Sequence, residues 1–278
     1  MSAATAAPPT RKPAASDTDE PSIGLMGNLR HIGALVRRNL LWIRQDPESM
    51  FDVILMPIVF TLLFVYVFGG AIAGNGNQET YVNYIIPGML AMQGMQIAMG
   101  VGTGFNQDFQ TGVMDRFRSL PISRSSVLIA KIIVEVIRML VAIVILLAVG
   151  FALGLTVNTS FVALLAAVGL ALLFGSSIMW IFLIMGVTMK SAQAIQGMGF
   201  LVMMPLQFAS SIFAPPSTMP DWLQTFTDWN PLSTLADASR GLIDGGPVAH
   251  SAWTTIGWSV VITMICAPIA IRKYKTKS

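Results

Sequence analysis

Long apolar stretches alternate with short polar segments along most of the chain. Six of these stretches have about 20 residues or more and few charged side chains: about 51–72, 81–105, 127–155, 161–188, 192–213 and 252–271. A helix needs about 20 apolar residues to cross the roughly 30 Å hydrocarbon core of a bilayer. The pattern therefore predicts an all-α membrane protein, with six transmembrane helices in one transmembrane domain that covers 47–278.

The chain before the first predicted span divides into two parts. Residues 1–22 are rich in Ala, Pro, Ser and Thr, so they lack the apolar side chains of a packed core, and we expect a disordered tail. Residues 23–46 carry apolar side chains at helical spacing with arginines between them, which is typical of an amphipathic helix in the membrane interface. A soluble helix packed on another domain is the alternative for that segment.

The distribution of Lys and Arg predicts the orientation of the spans. Only 11% of the residues are charged, against about 25% in soluble domains. The basic segments are 23–46, the polar segment 108–124, Lys190 and the C-terminal tail. The segments that alternate with them contain a single arginine: 73–80, 156–159 and 214–250. Because cytoplasmic loops carry an excess of Lys and Arg, we expect a multi-pass protein whose termini are both cytoplasmic.

The segment 108–124, DFQTGVMDRFRSLPISR, is too regular for a simple connector. Apolar residues recur in it at helical spacing and Pro121 ends the pattern, which predicts a cytoplasmic helix over 108–121. A short helix with an apolar ridge and charged flanks is suited to bind a groove on a soluble partner. A solvated connector resting on the membrane is the alternative. The candidate contacts are Asp108, Phe109, Val113, Asp115, Arg116, Phe117, Arg118 and Leu120.

The segment 214–250 is polar, but it contains short apolar runs between its prolines and tryptophans. We expect two short re-entrant helices here, which requires that neighbouring protein shields their backbone. Trp222, Phe226 and Trp229 suit the headgroup level of the bilayer. Together with Arg240 they are candidates for an extracellular gate region.

Polar and methionine side chains within the spans are candidates for a transport path. The candidates lie on the second and fifth predicted spans: Met92, Gln93, Gln96, Met99, Met203 and Gln207. Contacts that only pack one helix on another are the alternative, since methionine adapts well to irregular packing. On the third span, Lys131, Glu135 and Arg138 share one face and can pair. They form either an interfacial charge cluster or a buried network in the path.

The sequence lacks the motifs of an enzyme that uses nucleotides. It contains no GxxxxGK[ST] phosphate-binding loop, no H-E-x-x-H and no G-x-S-x-G. His31 and His250 are far apart and offer no spacing for metal ligands. We therefore expect no metal and no cofactor on this chain and no nucleic-acid partner. The spans also lack the central acidic residues typical of an ion-coupled carrier, so the energy for transport would come from a separate ATPase.

Five motifs, in order, resemble those of ABC-2 type exporter permeases, in particular the membrane subunits of the daunorubicin/doxorubicin-resistance exporters. They are LMPIVFTLLFVYVFGGAIAG (55–74), YIIPGML (84–90), GVMDRFRSLPISR (112–124), PSTMPDWLQTFTDWNPLS (216–233) and RGLIDGGP (240–247). The resemblance covers about 25–275. It implies a homo- or heterodimer of six-span subunits, working with two nucleotide-binding subunits that hold ATP and Mg.

The resemblance also implies roles for three segments: 25–44 as the connecting helix, 108–121 as the coupling helix, and 215–244 as re-entrant helices near the exit. Many relatives carry a glutamate shortly before the glycine of the coupling segment, where this chain has Gln110 and Thr111. The expected function is export of an amphipathic hydrophobic compound, such as a drug, antibiotic or lipid, across the bacterial cytoplasmic membrane. A membrane-embedded sensor or immunity subunit that binds the compound without moving it is the alternative.

Overall fold

The computed structural model describes residues 47–69, 78–112 and 124–277, together with Gly33 and Val36, and it contains no strand within these ranges. The all-α architecture is confirmed. The predicted tail and nearly all of the predicted interfacial helix lie outside the described residues. Within them the helices are α1 Pro47–Leu63, α2 Gln78–Gln110, α3 Arg124–Ala152, α4 Phe161–Thr188, α5 Ala192–Phe208, α6 Asp221–Trp229, α7 Pro231–Asp244 and α8 Ala249–Lys277.

Four of the described helices are long and apolar enough to cross a membrane. They contain the segments Thr80–Gln110, Ser126–Ala152, Phe161–Thr188 and Ala249–Tyr274, which coincide with the second, third, fourth and sixth predicted spans. The first and fifth predicted spans correspond to shorter helices, because α1 and α5 have 17 residues each. A helix of that length reaches about 26 Å, which is at the lower limit for a span. After α1, a π-helical turn continues over Phe64–Phe68.

Helices α2 and α4 form the centre of the bundle, and glycines allow their backbones to approach closely. A Cβ atom added to Gly94 would lie 2.8 Å from Gly175 Cα, and one added to Gly102 would lie 2.7 Å from the carbonyl oxygen of Phe182. On the opposite helix, a Cβ added to Gly186 would lie 2.7 Å from Gly102 O. Small residues at such positions permit tight helix packing inside a membrane. The glycine-rich sequence of α2 therefore serves its packing on α4.

Helix α5 ends at Phe208, five residues before the end predicted from the sequence at Phe213. Ala209 leaves helical geometry, with φ −90° and ψ 47°. The Asn230 side chain then donates from Nδ2 to the carbonyl oxygens of Leu206 at 2.7 Å and Ala209 at 2.8 Å. A broken helix is tolerated in a membrane protein where neighbouring groups satisfy the freed backbone. The amide of Asn230 does this for α5.

Two short helices follow the break, as predicted for 214–250. Helix α7 packs against α2, α4 and α8, and its residues Leu232, Leu235 and Ala236 are fully buried. Helix α6 lies at the surface instead, where Trp222 is 71% exposed and Trp229 is 74% exposed. The segment therefore combines one helix inside the bundle with one helix at its edge.

Candidate functional site

A cavity of about 500 Å³ lies between α1, α2, α3 and α5. Helix α1 packs on α3, and α5 packs on α2, so the cavity fills the space that these two pairs leave. All six residues predicted for a transport path line it: Met92, Gln93, Gln96, Met99, Met203 and Gln207. The structure thus brings them together, while their part in transport stays a prediction.

The helical spacing of these residues explains why they meet. Met92, Gln96 and Met99 follow one another at intervals of four and three residues, so they share one face of α2. Met203 and Gln207 are four residues apart on α5 and face the same space. Apolar side chains from α1 complete much of the remaining wall, and the result is an apolar cavity with three glutamine amides.

One end of the cavity carries an ion pair. Arg138 Nη1 donates to Glu135 Oε2 at 3.0 Å and to Oε1 at 3.4 Å. Glu135 is only 5% exposed, and both residues line the cavity. A buried charge is costly unless it is paired, and Arg138 supplies that partner for Glu135. Of the two interpretations left open by the sequence, this geometry favours a buried pair on the cavity wall.

Lys131 does not join this pair, although the sequence allowed it to bind Glu135. It pairs with Asp108 on α2, with 3.5 Å between Lys131 Nζ and Asp108 Oδ2. Asp108 lies in the last turns of α2, which continues through Gln110. The predicted separate helix over 108–121 is therefore wrong in its start, because 108–110 extend the second span.

Of the other residues of 108–121 that were predicted to contact a partner, the structure describes only Phe109. Phe109 packs edge-on against Phe105, with ring centroids 5.2 Å apart, and against Tyr274 of α8 at 5.9 Å. This side chain stabilises the bundle and is not part of a free ridge. The remaining candidates lie outside the described residues: Val113, Asp115, Arg116, Phe117, Arg118 and Leu120.

Two amides at the end of α2 form a cluster that sequence reasoning missed. Asn106 Nδ2 donates to the carbonyl oxygens of Gly186 at 3.1 Å and Met189 at 2.9 Å. Gln110 Nε2 donates to Asn106 Oδ1 at 2.9 Å and to Lys190 O at 3.0 Å. The cluster fixes the end of α2 to the connection between α4 and α5. Amides spaced four residues apart at a helix end were the available signal.

The opposite end of the cavity is aromatic. The Phe213 ring stacks on Phe64 with centroids 4.6 Å apart and on Phe208 with centroids 5.3 Å apart. Two contacts show which part of α2 lies beside each end of the cavity. At the aromatic end, Thr61, one turn before Phe64, contacts Met89. At the charged end, Lys131, one turn before Glu135, pairs with Asp108 near the end of α2. Along α2 the cavity is lined from Met89 to Gly100, which corresponds to roughly 16 Å at 1.5 Å per residue. It therefore extends from an aromatic end to a charged end.

Arg240 lies inside the bundle, unlike the exposed aromatic residues grouped with it by the sequence analysis. Its side chain is 14% exposed, and its guanidinium stacks 3.8 Å from the centroid of the Tyr84 ring. Nε donates to Tyr84 O at 3.0 Å, and Nη2 donates to Ser211 O at 2.6 Å and Ile212 O at 3.1 Å. Nη1 donates to Asp237 Oδ1 at 2.8 Å. Burial lowers the pKa of Arg240, and the neighbouring Tyr84 and Asp237 oppose that shift.

Trp222, Phe226 and Trp229 are three large exposed side chains on one face of α6. The contacts of Arg240 are to Tyr84, Ser211, Ile212 and Asp237. They include none of these three side chains, so the four residues of the predicted gate region do not form one site. The tryptophans and the phenylalanine lie at the protein surface, and the arginine connects α7 to α2 and to the chain that follows α5.

Comparison with known proteins places this fold in a family. The model of the ABC-2 type transporter family matches residues 30–243. The chain is 33% identical over 241 residues to the daunorubicin resistance ABC transporter permease protein of Streptomyces coeruleorubidus, covering 87% of this chain and 84% of that protein. It is 24% identical over 231 residues to a probable doxorubicin resistance ABC transporter permease protein of Mycobacterium tuberculosis, covering 83% of each.

A more distant relative comes from another organism, Cyanophora paradoxa. The chain is 23% identical over 227 residues to a putative transport permease of Cyanophora paradoxa, covering 81% of this chain and 76% of that protein. The family match and the relatives agree with the apolar helices of the fold. The chain therefore belongs to the ABC-2 type transporter family, as a multi-pass membrane permease.

Proposed function

We propose that this permease exports an amphipathic, largely apolar compound from the cytoplasm or the inner leaflet of the membrane. The cavity carries the proposal, since its wall is mostly apolar and contains three glutamine amides and one ion pair. Such a lining suits a ligand with a large apolar body and a few polar groups. The names of two relatives, which refer to resistance to daunorubicin and doxorubicin, support the same class of compound.

A separate ATPase subunit would supply the energy. It would hold ATP and Mg, since this chain has no phosphate-binding loop. We place its docking site on the segment after α2, where the basic residues favour a cytoplasmic location. The other partners would be a second permease copy and the lipid of a bacterial cytoplasmic membrane, with both termini of the chain in the cytoplasm.

Transport into inverted vesicles tests this function. The chain and its ATPase subunit are reconstituted together, and the fluorescence quenching of doxorubicin reports its accumulation. We expect accumulation that requires both ATP and the ATPase subunit. Met203→Ala and Gln96→Leu, which alter the cavity, should lower the rate.

Met264→Ala supplies the control, because Met264 lies on α8 with its side chain exposed and away from the cavity. Binding of doxorubicin without ATP-driven accumulation would support a sensor or immunity subunit instead. Accumulation driven by a proton gradient without the ATPase would contradict the proposed source of energy.

A further inference from the structure

Three phenylalanine rings close one end of the cavity. We call Phe64, Phe208 and Phe213 the aromatic seal. The rings come from three separate elements: the π-helical turn after α1, the last residue of α5, and the chain beyond the break in α5. Two stacked contacts, at 4.6 Å and 5.3 Å between centroids, join them. A compound leaving through this end would have to separate Phe213 from its neighbours.

The chain that carries Phe213 is fixed in place by Ser211. This residue is fully buried, and its carbonyl oxygen accepts hydrogen bonds from Tyr84 Oη at 2.7 Å and Arg240 Nη2 at 2.6 Å. Its hydroxyl donates to Asp237 Oδ1 at 2.8 Å, and its N–H donates to Ser233 Oγ at 3.2 Å. Every polar group of Ser211 is therefore bound to α2 or α7, two residues away from the ring of Phe213.

Arg240 is the residue that joins these elements. A planar guanidinium has five donors in a fixed geometry, and here its nitrogens bind carbonyl oxygens of Tyr84, Ser211 and Ile212 as well as a carboxylate on its own helix. A Cβ atom added to Gly88 would lie 2.9 Å from Arg240 Nη2, so a glycine on α2 makes room for the contact. A lysine offers a single ammonium and cannot reach all of these acceptors.

On the other side of the seal, the ring of Phe64 lies on π-helical backbone. Phe64 begins the π-helical turn Phe64–Phe68, in which the hydrogen bonds of the α-helix are replaced by wider ones. Such turns occur frequently at functional sites. Pro57 lies within α1 and has no N–H to donate, so α1 also lacks one regular helix bond before the seal. Thr61 Oγ1 donates to Pro57 O at 2.6 Å. The ring of Phe64 thus lies on an irregular helix. The ring of Phe213 directly follows two backbone carbonyls, of Ser211 and Ile212, that Arg240 binds.

We propose that Arg240 is a positioning residue that holds Phe213 against Phe64, and that the separation of these two rings opens the cavity during transport. The inference rests on the proposed function, because it assigns one end of the proposed path as the closed exit. By the Lys and Arg distribution this end faces away from the cytoplasm. Arg240 acts on the cargo only through the position of the ring.

A reversible cross-link tests the seal without changing Arg240. Cys266 is the one cysteine of the chain, so Cys266→Ser provides a background without thiols. In it, Phe64→Cys and Phe213→Cys are joined with a short bis-methanethiosulfonate reagent in the reconstituted transporter. We expect loss of ATP-driven transport on cross-linking and its recovery when a reductant releases the link.

The outcomes separate the seal from the proposed function. Undiminished transport in fully cross-linked protein would overturn the seal while leaving export intact. Absence of ATP-driven transport before cross-linking, in the background that carries only Cys266→Ser, would count against the proposed function. The positions Phe109 and Tyr274, whose rings also meet but at the other end of α2, provide a matched cysteine pair whose cross-link controls for the reagent.

A second experiment tests the part of Arg240. Arg240→Lys is combined with the Phe64→Cys and Phe213→Cys pair, and the yield of the cross-link is measured at a limiting reagent concentration. We expect a lower yield at the seal and an unchanged yield at the Phe109 and Tyr274 control pair. A purely structural role would lower both yields or neither, and either result would overturn the positioning role.

Discussion

Gln110 Nε2 lies 3.0 Å from the carbonyl oxygen of Lys190, and this contact ties the end of α2 to the connection between α4 and α5. The same amide donates to Asn106 Oδ1. Both contacts require a donor, and a carboxylate has none when ionised. The family resemblance leads one to expect a glutamate near this position. Gln110 is instead suited to donate to Asn106 and to the carbonyl oxygen of Lys190.

Gln110→Glu should therefore loosen this end of the bundle. The change removes two hydrogen bonds and places a negative charge beside carbonyl oxygens. Because Gln110 is exposed and water can replace these bonds, we expect a loss of about 1 kcal/mol in total, less than the roughly 1 kcal/mol per bond of protected hydrogen bonds. Thermal unfolding in detergent, followed by tryptophan fluorescence, measures the effect. Gln107→Glu is the control, because it adds the same charge at another exposed position of the same helix, whose side chain makes no hydrogen bond within the described part of the chain. Equal unfolding temperatures for the two variants would contradict the internal role.

The pair of Glu135 and Arg138 should behave as a unit. Glu135→Gln leaves a guanidinium beside an apolar cavity, and breaking a buried pair typically costs roughly 3–5 kcal/mol. Because Arg138 is 22% exposed, we expect a smaller loss. The double variant, with both residues changed to Gln, should recover much of that stability. Additive losses in a double-mutant cycle would show that the two side chains contribute independently.

Close packing of α2 on α4 predicts a contrast between two glycines on α4. Gly175→Ala should destabilise the protein by about 1–3 kcal/mol, because the added Cβ would lie 2.9 Å from Gly94 Cα and would also contact Met139. Gly169→Ala is the matched control, since nothing lies within 4 Å of its added Cβ, and a helical alanine there should stabilise slightly. Equal effects of the two changes on the unfolding temperature would contradict the close approach.

Asp244 predicts a dependence of stability on pH. Burial raises the pKa of its carboxyl group, and Arg240 opposes this less strongly. The folded protein therefore binds the proton more tightly than the unfolded chain, so stability falls as the pH rises from the ordinary pKa of an aspartate through the raised one. Its Oδ1 atom is buried without a hydrogen-bond partner among the described residues.

Asp244→Asn should accordingly raise the unfolding temperature at neutral pH and remove this part of the pH dependence. Unfolding curves collected from acidic to neutral pH measure it. Asp228→Asn, at an exposed position of α6, is the control for the loss of one charge. A variant of Asp244 that is less stable than the parent at neutral pH would contradict the prediction.

The segment after α2 yields a prediction from sequence alone. Phe117→Asp should leave the protein inserted in the membrane but uncouple ATP hydrolysis from transport, because a charge would replace an apolar contact with the ATPase. Co-purification of the ATPase and the ratio of transport to hydrolysis measure this. Phe161→Asp, at an exposed position of α4, controls for the added charge. Retained coupling in Phe117→Asp would contradict the docking role.

Local patterns predicted the parts of the fold that local contacts determine. Helix α4 begins and ends where the sequence places it, since Ser160 accepts a hydrogen bond from Ala163 N at its first turn and the apolar run stops at Thr188. The residues of the cavity were found for the same reason, because polar and methionine side chains at helical spacing mark one face of a helix.

Local patterns could not predict contacts between residues that are far apart in the sequence. The apolar run of α5 gives no sign that the helix ends at Phe208. The group that binds carbonyls at its end, Asn230, follows 22 residues later, and Arg240, which binds carbonyls of the chain just beyond it, follows 32 residues later. Lys131 was paired with Glu135 by spacing on one helix, whereas its partner Asp108 belongs to another. The tertiary arrangement of the helices determines both contacts.

The glycine contacts between α2 and α4 also bear on how the cavity could change shape. Two backbones in direct contact at Gly94 and Gly175, and again at Gly102 and Gly186, have no side-chain layer through which to slide. Helices α2 and α4 would therefore move as one body, and the face of α2 that carries Gln93 and Gln96 would be a fixed wall. Changes in the volume of the cavity would then come from α5, which ends with Phe208, and from α1 with the π-helical turn that begins at Phe64.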